Sequence, residues 1–151
     1  MTSRARTLLA LPLFTAMAVA LAAPRTAEAE GGKSRVDIML ALSTNEGTTV
    51  DPRLAHLASD FKQKHLAFSS FSVVQQKIFE LDEGKSNTMD LPNGKRFELV
   101  LVKKEASGKL HMRLNLPGVW GSAEYDVGPG GELILDGGPH GKGELWFLVR
   151  H

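Results

Sequence analysis

Arg96-Phe97-Glu98-Leu99-Val100-Leu101-Val102-Lys103, followed through Glu105-Ala106-Ser107-Gly108 by Leu110-His111-Met112-Arg113-Leu114-Asn115-Leu116, is the stretch from which the fold of this chain is read. In the last segment apolar and polar residues alternate. Leu110, Met112, Leu114 and Leu116 therefore face one side of a strand, while His111, Arg113 and Asn115 face water on the other. The first segment is rich in strand formers, and the short polar connection with its glycine predicts a hairpin.

The pattern continues on both sides. Upstream, Thr88-Met89-Asp90-Leu91 runs into Pro92-Asn93-Gly94, a tight turn whose Asn and Gly accept left-handed backbone, so 88–103 forms a second hairpin. Asp82-Glu83-Gly84-Lys85 is a further turn. Residues 68–81 read less clearly: Phe71, Val73 and Val74 favour a strand, whereas Gln75-Gln76-Lys77 suits a helix, and the expectation is one or two strands. Downstream, Pro117-Gly118 breaks the chain before a strand over 120–127. Gly128-Pro129-Gly130-Gly131 then turns it into Glu132-Leu133-Ile134-Leu135, and Glu144-Leu145-Trp146-Phe147-Leu148-Val149-Arg150 closes the chain next to that strand.

Residues 36–43 are apolar at both odd and even positions, which suits a central strand covered on both faces. After Asn45-Glu46-Gly47, Asp51-Pro52 reads as a helix N-cap with proline at the first helical position. Leu54, Leu57, Ala58, Phe61 and His65 then fall in one stripe at a period of 3.6, with His65 at the helix end. The fold class is α+β: a mainly antiparallel β-sheet with one amphipathic helix packed on it.

The N-terminus has a different grammar. Arg4 and Arg6 precede an apolar run over 7–23 that is shorter than the ~20 apolar residues of a spanning helix and contains Pro12. Two Ala-x-Ala sites follow, ending at Ala22 and at Ala29. The second leaves a polar start, so 1–29 is read as a cleavable signal peptide and 30–151 as a single α+β domain, exported and without a stable membrane anchor after cleavage. No cysteine is present, which removes lipoprotein acylation, disulfides and thiolate chemistry.

Of 18 basic and 17 acidic residues, Arg4, Arg6, Arg25 and Glu28 fall in the signal, which leaves the mature part at a net charge of −1. With neither sign in long blocks, a nucleic-acid footprint is not expected.

The segment Gly137-Gly138-Pro139-His140-Gly141-Lys142-Gly143 stands out as a possible interaction loop. It is no Walker loop: Asp136 stands where the first glycine belongs, Gly143 replaces the Ser or Thr, and a strand follows in place of a helix. It reads as a wide hairpin loop with His140 exposed at the tip. The five histidines, His56, His65, His111, His140 and His151, show no metal-ligand spacing, and the serines form no G-x-S-x-G elbow. No cofactor, catalytic or metal residue is therefore assigned. Glu124 and Asp126 read as charges on a strand face, and Trp120, Tyr125 and Trp146 as core aromatics before groove aromatics.

Leu42-Ser43, Val50-Asp51-Pro52-x-Leu54, Phe68-x-x-Phe71, Leu91-Pro92-Asn93-Gly94 and Gly137-Gly138-Pro139-x-x-Gly-x-Gly-x-Leu together resemble a family of uncharacterised small exported proteins of Gram-negative bacteria. The resemblance implies a periplasmic α+β module and carries over no catalytic or ligand residue. The functional expectation is a non-catalytic periplasmic binding or assembly module that offers a sheet edge or the 137–143 loop to a protein partner in the cell envelope. The alternative is a small hydrolase or metal-dependent enzyme using His140, Asp136 and His111.

Overall fold

The structure, a computed structural model, describes residues 33–151, so the signal-peptide reading of 1–29 lies outside the described residues. The chain order is β1 (Ser34–Thr44), a 3-10 turn (Pro52–Leu54), α1 (Ala55–Gln63), β2 (Ser70–Leu81), β3 (Ser86–Asp90), β4 (Arg96–Lys104), β5 (Leu110–Leu116), β6 (Gly121–Val127), β7 (Glu132–His140) and β8 (Gly143–Arg150). All strand pairs are antiparallel. Mainly antiparallel sheet with one short helix packed on it is thus the observed class.

The strands divide into two four-stranded sheets, β2-β1-β8-β7 and β3-β4-β5-β6. The alternation in β4 and β5 is the reason. Phe97, Leu99, Leu101, Leu110, Met112, Leu114 and Leu116 all point to one face and are at most 1% exposed, so that face needs a second apolar layer. Val36, Ile38 and Leu40 of β1 and Leu145, Phe147 and Val149 of β8 supply it. Phe97 of β4 stacks on Phe147 of β8, with ring centroids 4.5 Å apart. The main core therefore lies between two sheets, a layer beyond the single sheet-and-helix contact that periodicity predicts.

The helix covers the opposite face of the first sheet. Leu54, Leu57 and Phe61 pack there on Met39, Ala41, Phe71 and Leu148, and Trp146 meets Phe61 edge-on at 4.6 Å. β1 is thereby buried on both sides, as its unbroken apolar pattern requires. The Asp51 carboxylate accepts the Arg53 N–H at 2.9 Å, the capping bond expected from Asp51-Pro52. At the other end His65 lies beyond the helix, exposed and with φ at 56°, and not on the apolar stripe. Leu66 N–H donates to Phe61 C=O and His65 N–H to Lys62 C=O, the paired bonds of a Schellman ending.

Residues 70–81 form one strand. Its register slips at Leu40/Ala41 of β1, leaving Val74 opposite no residue. This bulge turns Phe71 and Val73 toward the helix but Phe79 and Leu81 toward the second sheet, which is why no single period runs through the segment.

Candidate functional site

The glycine-rich segment is strand, in place of the wide loop expected. β7 runs on through His140, which pairs with Gly143, and only Gly141-Lys142 make the turn, with φ at 57° on Gly141. A register slip between Asp136 and Gly138 places a bulge at Gly137, and the Asp136 carboxylate accepts the Gly138 N–H at 2.7 Å. The glycines serve close packing. A Cβ at Gly137 would stand 2.8 Å from the Leu145 Cβ, and one at Gly143 would collide with the Ser43 carbonyl. Of the segment, Pro139, Gly141 and Lys142 are exposed, and Lys142 pairs with Glu46 at 2.6 Å.

The histidines are dispersed. His56 meets Glu132 at 2.8 Å, and Glu132 also takes the Arg150 Nε–H, which ties α1 to β7 and β8. His140 lies at the end of β7 and Asp136 four residues before it, both in the first sheet, whereas His111 is on β5 of the second. His111 is brought instead to Asp126 at 2.6 Å from Nδ1 and to Glu124 at 2.9 Å from Nε2, and Arg113 donates to the other Glu124 oxygen at 2.9 Å. Two carboxylates on two ring nitrogens favour the doubly protonated imidazolium. Asp126 first and Glu124 second therefore raise the His111 pKa, while Arg113 and His111 lower that of Glu124 and His111 lowers that of Asp126. The alternation of β5 and β6 predicts these side chains on the wet face, but the cross-strand pairing depends on register. Among the described residues no group of three His, Cys, Asp or Glu side chains has the geometry to hold a metal ion.

The aromatics divide as well. Trp146 fills the helix-side core, its indole N–H donating to the Ser43 hydroxyl at 2.9 Å. Trp120 and Tyr125 are half-buried beside β7, 6.5 Å apart and edge-on, and the Trp120 indole N–H reaches the Asp136 carbonyl at 2.7 Å.

Each sheet leaves two outer strands, and they differ in how their free edge is guarded. β2 has the Val74 bulge and Lys77, whose ammonium reaches the Thr88 carbonyl at 3.4 Å; β3 is five residues long; β6 carries Glu124 and Asp126. The second half of β7 has its own bulge and Pro139, and its Asp136, Gly137 and Pro139 carbonyls accept from the Trp120 indole and the Asn93 amide. In the first half, Leu133, Ile134 and Leu135 form an apolar run that is half-buried on both faces and has none of these devices.

No protein-family model, curated protein or solved structure matches this chain.

Proposed function

We propose that this chain is a non-catalytic binding or assembly module of the periplasm, exported by the 1–29 signal, which takes an extended segment of an envelope protein onto the β7 edge. The observation behind this reading is the unguarded apolar run Leu133-Ile134-Leu135 on an outer strand. Added strands gain main-chain hydrogen bonds from a free edge and specificity from alternate side chains. On β7, Leu133 and Leu135 pack against the core between the sheets, and Ile134 against the helix-side cluster. An incoming strand would meet apolar neighbours on both faces. The partner is accordingly expected to contribute a short, alternately apolar strand. The exposed Gly141-Lys142 turn stands at the far end of the same hairpin and offers a secondary contact.

A photo-crosslinking residue placed at Leu133, and separately at Ser72 on the guarded β2, tests the edge in cells. A single adduct band from position 133, absent from position 72 and abolished when Leu135→Pro is added to a variant that still folds, is the expected result. Equal adducts from both positions, or none from 133, would remove the edge reading.

A further inference from the structure

The side chains that guard the second half of β7 come from the other sheet. Asn93 lies in the turn between β3 and β4, and Trp120 stands one residue before β6. The Asn93 side-chain oxygen accepts the Lys95 N–H at 3.2 Å, which turns the amide NH2 toward β7. There it donates to the Gly137 carbonyl at 3.2 Å and to the Pro139 carbonyl at 3.4 Å, while the Trp120 indole N–H donates to the Asp136 carbonyl at 2.7 Å. Carbonyls of successive residues point to opposite edges of a regular strand, and the bulge at Gly137 is what lets the second sheet take both Asp136 and Gly137. The fit is close. Gly138 holds a φ of 86°, and a Cβ there would stand 3.0 Å from the Val119 side chain and 3.7 Å from the Asn93 amide nitrogen.

An added strand needs free main-chain donors and acceptors. Along 136–139 the Asp136, Gly137 and Pro139 carbonyls are occupied, the Gly138 N–H is held by the Asp136 carboxylate at 2.7 Å, and Pro139 has no N–H to give. Along Leu133-Ile134-Leu135, by contrast, no side chain is bonded to the main chain among the described residues; the side-chain bonds on either side are those of Glu132 and Asp136. The run open to pairing therefore has a fixed end. Side-chain donors satisfy the carbonyls beyond it without presenting an edge of their own. Charge then separates a second copy from a different chain. Two copies paired antiparallel about Ile134 would set Glu132 of each opposite Asp136 of the other, and like charges directly opposite destabilise a strand pair.

We propose that Asn93 and Trp120 are specificity-determining residues of the β7 edge: they end strand addition at Asp136, so that the edge takes an extended segment of a different chain along 132–135 and rejects longer pairing. This inference rests on the edge reading above and adds where the partner strand must stop.

Photo-crosslinking residues at Leu133 and at His140, each in the parent and with Asn93→Asp and Trp120→Phe combined, test the stop in cells. Asn93→Asp keeps the oxygen for the Lys95 N–H but sets an acceptor against two carbonyls, and Trp120→Phe keeps a ring without its N–H. In the parent the adduct band from 133 should exceed any band of the same mass from 140 by about fivefold, the scale of one main-chain hydrogen bond. With both substitutions the 140 band should rise by about as much while the 133 band persists. Each single substitution should give part of the rise, and it is read in place of the double variant if the latter lacks a cooperative urea transition. A 140 band that stays unchanged in every background, or that already equals the 133 band in the parent, would overturn the stop and leave the edge standing. Absence of the 133 band throughout would remove the edge reading and the stop with it, and a 133 adduct with the mass of two copies of this chain would overturn the assignment to a different chain.

Discussion

At the scale of the residue, His111 shows how an exposed side chain is tuned by what stands across the strand. Its ring contacts Asp126 and Glu124, and the raised pKa follows from those two carboxylates, Asp126 contributing first. A group whose folded pKa exceeds its unfolded value adds stability that is complete below the unfolded value of about 6.5 and fades as the pH rises through the folded one. The lowered carboxylates act in the opposite sense, their contribution being lost only as the pH falls through their depressed folded values. Titration of the His111 ring by NMR should thus give a midpoint above the ordinary imidazole range. Asp126→Asn should bring it down further than Glu124→Gln, and the reverse order would contradict the geometry. The wet face of β5 and β6 is legible from alternation in Leu110-His111-Met112-Arg113, but which acid faces His111 is set by the register across Pro117-Gly118, which no local pattern encodes. His65 is a second case. It occupies left-handed backbone that favours glycine, so His65→Gly should stabilise the fold by about 1 kcal/mol in urea unfolding, and a loss would mean that its ring supports the helix end.

At the scale of the element, the β7–β8 hairpin and the helix behave differently toward the sequence that builds them. The helix announces itself: Asp51 caps it, Pro52 starts it, and Leu54, Leu57 and Phe61 mark the buried side. Leu57→Ala or Phe61→Ala should each cost roughly 2–5 kcal/mol by opening a cavity against Met39 and Leu148, while His140→Ala, whose side chain has no hydrogen bond among the described residues, should leave the urea midpoint nearly unchanged. In the hairpin, by contrast, Gly137-Gly138-Pro139 looks like loop because glycine and proline are poor strand formers, yet each glycine answers a steric demand of the ladder. Gly143 sits against the Ser43 backbone of β1, whereas Gly141 faces open space and needs only its positive φ. Gly143→Ala should therefore destabilise by about 3 kcal/mol, the upper range of overpacking, and Gly141→Ala by about 1 kcal/mol. Equal losses would mean that turn conformation, and not close approach, governs the hairpin.

At the scale of the whole molecule, the decisive contact is the one between β1 and β8, which joins Asp37 to Arg150 and Ser43 to Glu144 across nearly the full described chain. Such a pairing leaves no local signature, so the division into two sheets lies beyond what periodicity can express. The same pairing makes the layers interdependent. Ile38 and Leu40 of β1 face the core between the sheets, while Met39 and Ala41, one residue away, face the helix. Neither apolar cluster can lose its order without unpacking the strand they share, so the two should melt as one cooperative unit. The tryptophans report them separately: Trp146 lies in the helix-side cluster and Trp120 against the core between the sheets. Single-tryptophan variants Trp120→Phe and Trp146→Phe should each show, within that variant, a urea transition by fluorescence that coincides with the one by far-ultraviolet circular dichroism. An earlier Trp146 transition would mean that the helix layer detaches while the sandwich stays folded, and β1 would then be two independent faces instead of one shared element.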